Sequence, residues 1–226
     1  MEQPFISHIL CLRHGKTRYT GVFPDLTEEG GAHIQQVAHA FVKPWMIEHK
    51  IDRSTLEIVS SPAPRAQGTA DVVTRVVGHI PVVVCKNLGA MEWRDGARAR
   101  AALEAFNGKG YVDYETESVF GDAAIFETRE EVRDRWYTFL AGYIRSVWLS
   151  KSPQHAIMVS HYEVLQNVVY DLFGIVASAE TALKHGEPIL LSVSFDELMR
   201  ATVSGRFRDV TAIALFDHCR PDFGFF

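Results

Sequence analysis

The sequence is poor in the features that would tie it to extracellular, membrane or nucleic-acid chemistry. Its three cysteines, Cys11, Cys85 and Cys219, form an odd set without metal-type spacing. A disulfide framework and a cysteine metal site are therefore not expected, and small apolar roles in a reducing compartment are. No stretch reaches the roughly 18 consecutive apolar residues of a membrane-spanning helix. The opening Met1-Glu2-Gln3-Pro4 and the short apolar run after it, broken by Ser7 and His8, lack the basic flank and cleavage site of a secretory leader. The cytoplasm is the expected compartment. Positive charge is not in excess either: 23 Lys and Arg stand against 28 Asp and Glu, for a net charge of −5. A surface that tracks DNA or RNA phosphates is not expected, so any anion site must be local. Phosphate loops of the GxxxxGK type, GxGxxG fingerprints after a strand, repeats and Gly/Ser linkers are missing as well, which removes P-loop and dinucleotide chemistry and any marked domain boundary.

What is present is an ordinary globular composition, 47% apolar and 23% charged over 226 residues. That is enough chain for one substantial core, and a single domain over residues 1–226 is expected. Apolar, strand-forming runs at Phe5–Leu12, Leu56–Ser60, Pro81–Cys85 and Ala156–Ser160 alternate with helical patterns: one begins after Thr27, one runs from the Ser61-Pro-Ala-Pro-Arg65 turn to Val77, one spans Glu127–Leu149 and one Gln166–Phe173. A short helix over Ala177–Lys184 and strands over Pro188–Ser194 and Val210–Asp217 follow. This order predicts a three-layer α/β/α fold on a mostly parallel central sheet, whose ligands bind beyond the carboxyl ends of the strands. Arg13, His14, Arg65 and His161 all fall just after predicted strands. Residues 93–126 read as a lid or loop insertion, with Ala97–Phe106 helical and Gly108–Asp122 aperiodic.

Leu12-Arg13-His14-Gly15-Lys16-Thr17 places a permanent cation and an imidazole at a strand tip with a flexible glycine behind them. This segment resembles the Arg-His-Gly signature of the histidine phosphatase superfamily. Asp25-Leu-Thr-Glu-Glu-Gly30 resembles the segment that follows it in the phosphoglycerate-mutase-like branch. Ser61-Pro-Ala-Pro-Arg65-Ala66-Gln-Gly-Thr69-Ala70 resembles the family's Ser-x-x-x-Arg-Ala-x-x-Thr-Ala stretch, and Met158-Val-Ser-His161 its second histidine. Order, spacing and secondary-structure context agree over residues 5–175.

The resemblance implies a phosphohistidine on His14, a phosphate clamp from Arg13 and Arg65, and His161 as donor to a phosphoryl oxygen. Metal and cofactor are not expected, and the implied partner is a small phosphorylated substrate, not a nucleic acid or a membrane; oligomeric state is not legible. A phosphomonoester carries about two negative charges near neutral pH, which two guanidinium forks can match. The arginines should also hold His14 neutral, and an acceptor such as the Gly15 carbonyl should fix its second nitrogen as N–H.

The leaving alkoxide needs a proton, and Glu92 resembles the acid of the mutase-like branch, with Asp95, Glu115 and Glu117 as alternatives. The Asp that directly follows the second histidine in the acid-phosphatase branch is replaced by Tyr162. Lys16-Thr17-Arg18-Tyr19 stands where the family commonly has Glu-Thr or Glu-Ser and then a phosphate-binding Asn; Thr17 can still offer a hydroxyl. Lys16 and Arg18 read as solvated surface charges or as a site for a second anionic group. The segment after Glu92 is short and acidic at Asp113, Glu115, Glu117 and Asp122, which favours hydrolysis of a small phosphomonoester. Mutase activity and a non-catalytic phospho-ligand binder are the alternatives. His8, His33, His39 and His49 read as surface or core positions without a role in the chemistry.

Overall fold

The computed structural model describes residues 5–18, 25–105, 117–196 and 200–216. Four parallel strands form one half of a seven-stranded sheet: β1 (Ser7–Arg13), β2 (Leu56–Ser60), β3 (Val82–Val84) and β4 (His155–Ser160), in the spatial order β3-β2-β4-β1. Both faces of this half are covered, which is why β1 and β4 read as continuous apolar runs. Leu10 and Leu12 belong to the core under one helical layer, and Ile9 and Cys11 to the core under the other. Burial pushes the Cys11 thiol far up, which makes it inert packing.

The first layer holds α1 (Glu28–Val37), α2 (Lys43–Glu48) and α3 (Pro64–Val77). Thr27 caps α1 by accepting the Gly30 N–H at 2.9 Å. Between α1 and α2, residues Ala38–Val42 wind as a π-helix just ahead of Pro44. Pro44 lacks the N–H for the regular ladder, and the local helix widens instead of breaking. The second layer holds α5 (Arg129–Ser150), after α4 (Gly96–Glu104), and α6 (Tyr162–Phe173). Thr128 and Glu131 form a reciprocal capping box on α5, and α6 begins directly after His161, four residues before its expected start.

The other half of the sheet is antiparallel: β5 (Pro188–Phe195), β6 (Ala201–Phe207) and β7 (Val210–Phe216) extend it as β1-β5-β6-β7. The whole is thus a mixed sheet with helices on both sides. Connections too short for a crossover helix force the antiparallel order within β5, β6 and β7. Strand β6 is not among the expected strands, although Ala201, Val203, Gly205 and Phe207 alternate as buried positions. The helix expected over Ala177–Lys184 is replaced by turns. Ser178 satisfies the N–H groups of Glu180 and Thr181 with its own hydroxyl, and Arg208 takes the carbonyls of Glu180 and Ala182, so no helical ladder propagates. Of the expected lid, residues 106–116, with Asp113 and Glu115, lie outside the described residues. The following Ser118–Gly121 is a 3-10 turn with Phe120 buried in the core.

Candidate active site

Backbone bonds continue the parallel ladder one step past the strand ends. The His14 N–H donates to the Ser160 carbonyl and the Ser61 N–H to the Val159 carbonyl, each at 3.0 Å. Three loops distant in sequence are thereby drawn to one carboxyl edge, and His14, Arg65 and His161 come together there. Gly15 sits so close to Leu26 and Ile34 that a Cβ would meet their side chains at 2.7 and 2.8 Å. Only glycine lets this loop lie on α1.

His14 is 2% exposed. Its Nδ1 lies 2.8 Å from the Gly15 carbonyl oxygen. A carbonyl only accepts, so Nδ1 carries the proton and Nε2 keeps its lone pair. Arg65 donates its Nε–H to that Nε2 at 3.2 Å from the first turn of α3. Thr69, one helical turn on, accepts the Gly15 N–H at 3.0 Å and donates to the Arg65 carbonyl at 2.8 Å, tying the two motifs into one unit. The His14 pKa is held well below the usual imidazole value. Burial is the largest cause, and Arg65, Arg13 and His185 add to it against the opposing Gly15 bond. The arginines expected to do this are therefore secondary to desolvation.

His161 is fully buried, its ring 5.0 Å from that of His14. Burial foremost, then His14 and Arg65, keep it neutral. Ser61 Oγ lies 2.7 Å from its Nε2 and accepts the Ala63 N–H at 3.2 Å. A hydroxyl that donates its proton to Nε2 leaves the proton of His161 on Nδ1. That nitrogen is buried without a hydrogen-bond partner among the described residues, the state of a donor waiting for an acceptor. Arg13 stacks over the Tyr162 ring at 4.9 Å, donates to the Leu183 carbonyl, and places a terminal nitrogen 3.1 Å from His185 Nε2. The Thr17 hydroxyl is buried and without a partner among the described residues.

Glu92 is exposed, on the loop after β3. That loop packs at the β4–α6 junction: Ser160 Oγ donates to the Leu88 carbonyl at 2.8 Å, and the Met91 N–H to Glu163 at 2.9 Å. Of the alternative acids, Asp95 caps α4 by accepting from Ala97 and Arg98 with one of its carboxylate oxygens, Oδ1. Lys16 pairs with Glu29 at 2.8 Å, Arg94 with Glu131 at 2.8 Å, and Arg98 with Asp122 at 3.2 Å. His185 escapes the sequence reading. Its ring is 5.6 Å from that of His14 and its pKa is lowered to about 4, by burial first and Arg13 second. Nothing in its neighbourhood, Lys184-His185-Gly186, matches a motif. Among the described residues no group of three or more His, Cys, Asp or Glu is arranged to hold a metal ion, and no helix is long and apolar enough to cross a membrane.

The sequence model of the histidine phosphatase superfamily (branch 1) matches residues 9–201. No curated protein matches the chain by sequence. Among solved structures, the chain is similar to a mycobacterial hydrolase at 20% identity and a TM-score of 0.60, over 94% of this chain and 93% of the other. A mycobacterial glucosyl-3-phosphoglycerate phosphatase aligns at 20% identity and 0.57, over 92% and 96%. A phosphoglycerate mutase from Bacillus anthracis aligns at 14% and 0.56, over 84% and 88%.

Proposed function

Because the chain belongs to the histidine phosphatase superfamily, we propose that it is a phosphatase that hydrolyses a small phosphomonoester through a phosphohistidine on His14. The observation that carries the reading is the Arg65–His14–Gly15 arrangement: one nitrogen is fixed as N–H, the other keeps its lone pair, and a guanidinium lies in hydrogen-bond contact with that second nitrogen. His14 Nε2 attacks phosphorus as the ester P–O bond breaks, and Glu92 gives its carboxyl proton to the departing alkoxide. Arg13, Arg65, His161 and Thr17 hold the three equatorial oxygens, where charge spreads in the transition state. Water then attacks the phosphohistidine and returns a proton to Glu92, releasing inorganic phosphate and neutral His14.

Hydrolysis is favoured over transfer to a second hydroxyl, because a mutase must hold the far charged end of its intermediate. Of the cations that could serve that end, Lys16, Arg18, Arg94 and Arg98, three already face a carboxylate: Lys16, Arg94 and Arg98. The test is a single-turnover quench without acid, in EDTA, with labelled phosphomonoester. Label should appear on His14, be absent in His14→Ala, and chase into free phosphate with water. Label retained in His14→Ala overturns the nucleophile, dependence on added metal overturns the metal-free site, and chase of label onto 3-phosphoglycerate faster than into water makes the enzyme a mutase.

A further inference from the structure

An acid that must meet a leaving oxygen needs a fixed position, since a misplacement of about 1 Å can cost on the order of a hundredfold in rate. Glu92 stands on a loop that holds one 3-10 turn, Lys86–Leu88, and no longer helix or strand before α4. Besides Ser160 and Glu163, the groups that fix this loop come from α5 and the segment just before it, which also forms the β-bridge Trp93↔Phe126. Arg135 forms a two-pronged ion pair with Glu127, Nε to Oε1 at 2.6 Å and Nη2 to Oε2 at 3.0 Å, with side chains only 18% and 10% exposed. The donors left over reach the loop: Nη1 donates to the Asn87 carbonyl at 2.7 Å and Nη2 to the Ala90 carbonyl at 3.2 Å. Glu127 grips the acid's own peptide, accepting the Glu92 N–H at 3.2 Å and donating its N–H to the Glu92 carbonyl at 2.8 Å.

We propose that Arg135 and Glu127 are positioning residues that hold Glu92 against the leaving-group side of the His14 site; the proposal rests on the acid role given to Glu92 above. A buried ion pair is a poor device for stability alone, because apolar residues of similar volume often do as well. Its use here is geometric. A planar fork with several donors can bind one carboxylate and two carbonyls together, which an ammonium cannot. The charge of Arg135 also contributes to holding the His161 pKa down.

The test compares Glu92→Gln, Glu127→Gln and Arg135→Lys on an alkyl phosphate and on p-nitrophenyl phosphate, whose leaving group scarcely needs a proton. Misplacing the acid should slow the alkyl substrate about ten- to a hundredfold in both positioning variants and the aryl substrate less than about threefold. Vanadate inhibition, which reads the phosphate pocket alone, should stay within about twofold. Because one unpaired buried charge can unfold the chain, the double variant Glu127→Gln/Arg135→Gln, which leaves none, repeats the comparison. If Glu92→Gln slows both substrates equally, the acid role fails and the positioning role falls with it. If Glu92→Gln is selective for the alkyl substrate but the positioning variants lose both substrates equally or lose vanadate affinity, the acid stands and the pair is structural only.

Discussion

Three histidines gather at each end of β1 and β4, and the two groups differ in what surrounds them. At the carboxyl end are His14, His161 and His185, with rings 5.0 and 5.6 Å from His14. At the amino end are His8, His49 and His155, with rings 3.9 and 5.5 Å from His8. Burial lowers the pKa of His8 and His155 at one end and of His14, His161 and His185 at the other, to about 4 for His8 as for His185. At the amino end, however, the charges that add to burial are only other histidines, and ring nitrogens are taken up by neighbours. His8 Nδ1 meets Ser192 Oγ at 2.9 Å, and His155 Nδ1 accepts the His8 N–H at 3.1 Å. At the carboxyl end the added charges include Arg13 and Arg65 as well as histidines, and His161 Nδ1 has no hydrogen-bond partner among the described residues. Clustered histidines alone therefore do not mark a candidate site; what sets the carboxyl end apart is permanent cations beside a nitrogen without a partner among the described residues.

The sharpest break of this comparison is in turnover. His14→Asn should lower phosphate release at least about 10⁴-fold, the scale of losing a nucleophile. His8→Asn should keep it within about threefold, since no reacting atom is touched. A comparable loss in His8→Asn, measured by steady-state phosphate release, would erase the distinction between the two ends.

A smaller effect is expected at His185, whose ring supports Arg13 without touching His14's nitrogens. Removing one hydrogen bond to a charged group costs about 1.5–3 kcal/mol where the partner is left unsatisfied. His185→Ala should therefore raise KM and the vanadate inhibition constant by roughly tenfold or more, with kcat changed less. His185→Gln, whose amide oxygen can accept from Arg13, should restore much of the affinity. Loss of kcat alone would place His185 in the chemistry rather than behind Arg13.

The least effect is on stability against pH. A base whose folded pKa is depressed favours the neutral form, so its contribution is full above the unfolded value and fades as pH falls toward the folded one. For His8 the window runs from 6.5 down to about 4. Its half-exposed position weakens the effect by solvent screening, and a fall of about 2–4 °C in Tm between pH 7 and 5 is expected from this end. His8→Asn should flatten that part of the profile, whereas saturating vanadate should raise Tm without flattening it. An unchanged slope in His8→Asn would show that the amino-end cluster titrates as it does in the unfolded chain.

Much of the site was legible because its parts are local. Arg13-His14-Gly15, the Ser61–Ala70 stretch and Ser160-His161 each sit at a strand-to-loop or strand-to-helix step that apolar pattern and capping residues announce. Strand β6 carried a readable signal, the alternation from Ala201 to Phe207, but Gly205 weakened it. That glycine is needed because a Cβ there would meet Leu172 of α6 at 2.5 Å. His185 and the Glu127–Arg135 pair carried none. A loop histidine and an ion pair eight residues apart look like any solvated surface until the fold closes over them.

The sequence by itself determined the chemistry on offer and the strand tips that carry it, because period, caps and turn residues act over a few neighbours. Only the tertiary structure decided which tips meet. β4 lies beside β1 in the register Arg13↔Ser160, and that insertion, not any local preference, sets His161 against His14 and leaves His8 and His155 at the far end. Register between strands so distant in sequence is fixed by burial of both sheet faces at once, a property of the packed layers that no short segment holds.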